Sequence, residues 1–187
     1  DIRGLTSIYG MSFVPGTWIE SIQLIKGTGS VVNGYESITG QINTEIRSPD
    51  DKYKLYVNAY GNRGSRMEGN LVYKKKLSEK WGMNMLAHGS NNVLKFDRND
   101  DTFLDMPLTK QAIAQTNFRY RNDTKGLRSR IGVKAGYMNK NGGQAMGKVE
   151  NPYLFGITGK NLQVWAKSGK INKLNPNRSS GLQLSGS

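Results

Sequence analysis

From Tyr53 onward apolar and polar residues take turns along the chain. Tyr53, Leu55, Val57 and Ala59 fall on one face of an extended segment, with Lys54, Asn58 and Tyr60 on the other; Met67, Gly69, Leu71 and Tyr73 repeat the apolar face, with Glu68, Asn70 and Lys74 opposite. Trp81, Met83, Met85 and Ala87 oppose Asn84, His88 and Ser90, and Phe118 and Tyr120 oppose Asn117, Arg119 and Arg121. The alternation is cleanest from Leu127 to Tyr137: Leu127, Ile131, Val133, Ala135 and Tyr137 lie on one side, Arg128, Arg130 and Lys134 on the other. Leu162, Val164 and Ala166 oppose Gln163 and Lys167, and Leu182 with Leu184 opens a further segment. A period of two belongs to a strand whose faces meet different surroundings, so the pattern predicts about seven consecutive strands.

Each predicted strand has about ten residues, the length a tilted strand needs to cross a bilayer. The connections alternate in length. Ser78–Lys80 and Asn122–Gly126 are short, Asn92–Ala114 and Lys140–Lys160 are long, Asn62–Ser65 is a short turn at the long-loop end, and Asn172–Ser180 is a longer turn at the other. Short turns at one end and long loops at the other are the habit of outer-membrane barrels, and Tyr53, Trp81, Tyr120 and Tyr137 near strand ends suit interfacial girdles. Soluble β-sandwiches alternate too, because one face packs on a core, so a soluble basic β-sandwich or adhesin that binds polyanions stays open as the alternative.

Upstream the pattern changes. Ile19 to Ile25 has the branched, apolar composition of a buried strand; Gly27, Gly29 and Gly34 mark a tight reversal; and a second strand is expected near Gly40 to Ile46. Three glycines so close together predict backbone with positive φ or close approach. Arg47-Ser48-Pro49-Asp50-Asp51 is polar, and its proline stops the strand, as a linker does. The stretch from Trp18 to Asn43, with its Ile-Glu-x-Ile-x-x-x-Lys-Gly strand, its Asn33-Gly34 turn and its Gly-x-Ile-Asn strand, resembles the end of the plug domain of TonB-dependent outer-membrane receptors. Gly27, Gly34, Gly40 and Asn43 carry the resemblance; Thr28 stands where many members have proline, and Gln41 where many have glycine or valine.

The resemblance implies an all-β chain: residues 1–49 form the carboxy-terminal part of a plug, and residues 50–187 form the first strands of a large antiparallel transmembrane barrel of roughly 22 strands. It implies the outer membrane of a Gram-negative bacterium and energy-coupled uptake of a scarce nutrient such as a metal chelate, vitamin, glycan or peptide. The implied partners are TonB, engaged through an upstream segment, outer-membrane lipid and a surface lipoprotein lid. A chain that opens at Asp1 and stops within a strand reads as a piece of something longer. A passive porin is the third reading.

Composition sharpens this picture. The 187 residues include no cysteine, so neither a disulfide framework nor a thiolate metal site is available. Hydrophobic content is 36% and mean hydropathy −0.60, and no apolar run approaches the roughly 20 residues of a spanning helix. Net charge is +13, from 27 basic and 14 acidic residues. Lys54, Lys74, Arg119, Arg121, Arg128, Arg130, Lys134 and Lys167 all fall on the non-apolar register, which in a barrel is the lumen wall. Such a wall attracts anions or pairs with carboxylates of a plug, and plug contact is the expectation for most of these cations. His88, Arg119, Arg121, Arg128, Arg130 and Lys134 are the candidate ligand-binding residues.

Nucleic acid fits poorly, because the aromatic residues share the apolar register rather than interleave with the basic ones. His88 is the single histidine and reads as a hydrogen-bonding wall residue, and three loop methionines (Met106, Met138, Met146) without histidines do not make a copper site. Asp97-Arg98-Asn99-Asp100-Asp101 lacks the glycine and closing glutamate of a calcium loop, and Gly142-Gly143 and Gly156–Gly159 lack P-loop spacing. The expectation is no enzyme, no cofactor and no metal.

Overall fold

The computed structural model describes residues 12–28, 40–47, 53–145, 147, 149–172, 175 and 177–187. Gly29, Gly34, Met146 and the Ser48–Asp51 linker lie outside them. The chain is all-β and antiparallel. A 3-10 turn at Gly16–Trp18 leads into β1 (Ile19–Lys26), which pairs with β2 (Gly40–Ile46) as a two-stranded unit. Gly27 closes β1 at φ +93, the conformation its position predicts, and a Cβ on Gly40 would stand 3.1 Å from the Ile25 carbonyl oxygen.

The second sheet has seven strands in chain order: β3 (Leu55–Gly61), β4 (Arg66–Lys76), β5 (Trp81–Asn92), β6 (Leu108–Asn122), β7 (Leu127–Gly143), β8 (Leu154–Ile171) and β9 (Ser179–Gly186). The register is unbroken across the middle strands, so residues opposite one another form rows. Asn70, His88, Ile113, Gly136 and Asn161 make one row. Val72, Leu86, Gln115, Lys134 and Gln163 make the next, followed by Lys74, Asn84, Asn117, Gly132 and Trp165.

The two faces of this sheet reverse the usual sorting of side chains. Buried on one face are Asn70, Lys74, Asn84 (1% exposed), His88, Gln115 and Lys134 (6% exposed). The other face exposes Val57, Met67, Leu71, Met85, Ile131 (49%), Val133, Leu162 (61%), Val164, Leu182 and Leu184. Water-soluble proteins place apolar side chains inside and charged ones outside, and scattered exceptions are normal; here one face exposes apolar residues strand after strand, while the buried face mixes these polar residues with Val72, Leu86 and Ile113. Trp81 and Tyr120 pair on the apolar face at the tight-turn end, ring centroids 5.1 Å apart.

The strands differ from expectation in length. β6 begins at Leu108, inside the segment Asn92–Ala114 read as a loop, while β7 runs to Gly143 and β8 starts at Leu154, inside Lys140–Lys160. The true connections are 93–107 and 144–153. β7 and β8 reach 17 and 18 residues rather than about ten. Beyond Tyr137 the face that was apolar turns polar or small, as at Asn139, Asn141, Gly156 and Thr158, while Met138, Phe155 and Ile157 fall on the other face, so backbone pairing continues where the alternation loses its sign. The long connections are bound to each other: Leu104 N donates to Gly143 O (2.9 Å), Ala145 N to Thr102 O (2.7 Å), and Gln144 Nε2 to Thr102 Oγ1 (3.2 Å).

Candidate functional site

The buried polar face is where the two sheets meet. Phe13 and Trp18, 1% and 0% exposed, form a cluster with Val72, Leu86, Ile113 and Met138 of the seven-stranded sheet, with Ile46 and Tyr56 packed beside it. Phe13 lies over two glycines of neighbouring strands. A Cβ on Gly136 would come within 2.9 Å of its ring, and one on Gly159 within 3.3 Å, so this socket exists because β7 and β8 carry no side chain there. Met138, expected beside an outer loop, is instead buried in this cluster.

Polar contacts fasten the same junction. Gln111 Nε2 donates to the Ser12 carbonyl at 2.6 Å, and Asn84 Nδ2 donates to the Arg47 carbonyl at 2.8 Å. Asn84 Oδ1 accepts from Asn117 Nδ2 (2.7 Å), whose own Oδ1 accepts from Gln115 Nε2 (3.2 Å). The Arg47 guanidinium sits 4.9 Å above the Tyr56 ring, and Arg47 N donates to Trp18 O. A cavity of about 370 Å³ remains between the hairpin and the edge of the large sheet, lined by Ile19, Glu20, Arg47, Tyr53, Tyr56, Val72 and Lys74.

The candidate residues separate into two groups. His88 is buried in the row that bears the Phe13 socket, and its Nδ1 is 2.7 Å from Asn70 Oδ1, while Asn70 Nδ2 donates to Asn58 Oδ1 at 3.2 Å. Lys134 is buried between Gln115 and Gln163. Arg119 is partly buried, whereas Arg121, Arg128 and Arg130 are exposed beyond the junction, toward the 123–126 turn. The described part of the 12–47 segment therefore reaches the polar face through Asn84, Gln111 and the glycine socket. Arg121, Arg128 and Arg130 remain outside that contact.

Of the glycine-motif residues, Asn43 donates through Nδ2 to Gln23 Oε1 (3.1 Å) across the hairpin. Ile22, Leu24 and Ile42 are exposed, although the composition of the stretch predicts burial, because no described residue covers that face of the hairpin. In the loop after β5, Asp97 accepts from the Asp101 and Thr102 amides and Asp101 from the Phe103 amide, so these carboxylates cap their own turn. Sequence reading missed Phe13, Asn84, Gln111, Gly136 and Gly159. The signal that could have found Gly136 and Gly159 is glycine on the polar register of a strand, a mark of close approach by another part of the chain. No family model matches this chain, and neither a curated protein nor a solved structure matches it.

Proposed function

We propose that this chain is part of a TonB-dependent outer-membrane receptor: the end of a plug, followed by the first seven strands of the barrel that surrounds it. The observation that carries this reading is the inverted sheet, whose apolar side chains face outward while asparagine, glutamine, histidine and lysine are buried inward. Lipid on one side and a filled lumen on the other require this arrangement, whereas a soluble sandwich would press Ile131, Val133 and Leu162 against a second sheet. The apolar band runs from the Trp81–Tyr120 row to the Gly89–Ala112–Tyr137 row. Trp81 to Gly89 is a rise of roughly 27 Å at ~3.4 Å per residue, or roughly 20 Å when tilted by about 40°, close to the ~25 Å band of outer-membrane barrels.

The plug assignment rests on the Trp18–Asn43 motif and on the seating of Phe13 and Trp18 against the inward face. An open seven-stranded sheet has two unpaired edges, and in this reading further strands complete the barrel. The long connections 93–107 and 144–153 then lie on the cell surface and the tight turns 77–80 and 123–126 in the periplasm. Nutrient binds the outer plug surface and wall, and TonB moves the plug from below. The test is expression of the full-length protein in a Gram-negative host. Recovery from the outer membrane as a heat-modifiable barrel, with growth on a scarce nutrient that depends on both the protein and TonB, supports the reading. A full-length protein recovered from the soluble fraction without detergent contradicts it.

A further inference from the structure

Below the plug junction, toward the 123–126 turn, the inward face becomes a field of like charge. Arg119, Arg130 and Lys167 stand directly opposite one another across β6, β7 and β8, and Arg121 and Arg128 are paired one row further down. Residues opposed in this way have Cβ atoms about 5 Å apart, and like charges so placed destabilise the sheet. Asp123 in the turn serves both Arg121, at 2.9 Å, and Arg128, at 4.0 Å. Arg130 and Lys167 are exposed and face like charge. A sheet that only needed solubility would gain it from mixed charges without this repulsion.

We propose that these five cations form a binding site for a multivalent oxyanion, a soluble solute bearing several phosphate or carboxylate groups. Four of the five are arginines, whose planar forks match phosphate and carboxylate oxygens two at a time. Three opposed strands and two rows give a patch of roughly 10 Å by 7 Å, the span of a small polyanion rather than of a single chloride. The patch lies one row beyond Asn84, which holds the Arg47 carbonyl, and its Arg121, Arg128, Arg130 and Lys167 are exposed. This inference rests on the receptor reading, which turns this face toward the lumen, and it names the substrate class: an anionic solute drawn along a cationic exit.

The test is calorimetric titration of the full-length protein in nonionic detergent with pyrophosphate and with citrate. Saturable binding is expected, weakening as sodium chloride is raised. Arg130→Gln combined with Lys167→Gln should weaken it at least tenfold, while Lys110→Gln, on the opposite face, should leave it unchanged. Arg130→Lys, which keeps the charge and loses the fork, should weaken it severalfold and serves if the double variant does not fold. Absence of saturable binding, or equal binding by the variants, overturns the oxyanion site and leaves the receptor reading intact if the protein still folds as a barrel. A protein soluble without detergent overturns the receptor reading, and the same titration still reports on Arg130 and Lys167.

Discussion

The ring of Phe13 rests on the bare backbone of Gly136: a β-carbon there would come within 2.9 Å of the ring. This contact joins the amino-terminal segment to β7 from a distance in sequence that no local pattern spans. Phe13→Ala should cost about 3–5 kcal/mol of the docking of residues 12–47, as removal of a buried phenyl ring does. Gly136→Val should have a similar effect by filling the socket while suiting the strand. Limited proteolysis of the folded protein should show the 12–47 segment cleaved much faster in both variants, with β7 still protected.

Asn84 is the polar counterpart. It donates to the Arg47 carbonyl and accepts from Asn117, and it is 1% exposed. Asn84→Ala leaves both partners unsatisfied, at about 1–3 kcal/mol. Asn84→Asp should be worse, since a carboxylate repels the carbonyl that the amide had bound. Amide exchange at Arg47, whose N–H donates to Trp18 O, should accelerate in both variants and most in Asn84→Asp.

Gln144 ties the two long connections together, donating to Thr102 Oγ1 and accepting from the Tyr153 amide at 2.8 Å. Gln144→Ala should release about 1 kcal/mol of that coupling, roughly a fivefold shift toward the open form. Hydrogen exchange should rise at Ala145 and Tyr153 and stay unchanged at Trp18. Equal protection in the variant would show that the backbone bridges alone hold these loops.

Much of the wall was legible because its alternation is strict: the Leu127–Tyr137 segment sorts its arginines and aliphatics onto opposite faces without a slip. The outer half of β6 was hidden for a physical reason. Ile113 points to the polar face, where it packs with Phe13, while Ala112 and Ala114 take the apolar register, so the hydropathy sign is reversed locally. β8 was cut short for a related cause, since Gly156 and Gly159 carry no side chain to reveal a face. Of the candidate site, the row of basic residues was readable from register. Phe13 was not, because a glycine on the polar register marks a close approach but only the fold shows which distant segment makes it.

The lipid-facing assignment predicts a depth dependence. Val133→Arg, in the middle of the apolar band, should cost about 2–4 kcal/mol of folding into bilayers. Asn139→Arg, beyond the band, should cost about 0–1 kcal/mol. The folded fraction in lipid vesicles, read by electrophoretic mobility without heating, should fall for the first and hold for the second. A soluble sandwich would lose stability at Val133 as well, but in plain buffer.

The most direct measurement uses the absence of native cysteine in this chain. Single cysteines at Ile131, Val133, Lys134 and Ala135 of the full-length protein, spin-labelled in lipid bilayers, report contact with oxygen dissolved in lipid and with a water-borne nickel chelate. The account predicts high oxygen collision rates at 131, 133 and 135 and a low one at 134. Labels at 131, 133 and 135 shielded from both reagents, as inside a protein core, would contradict it.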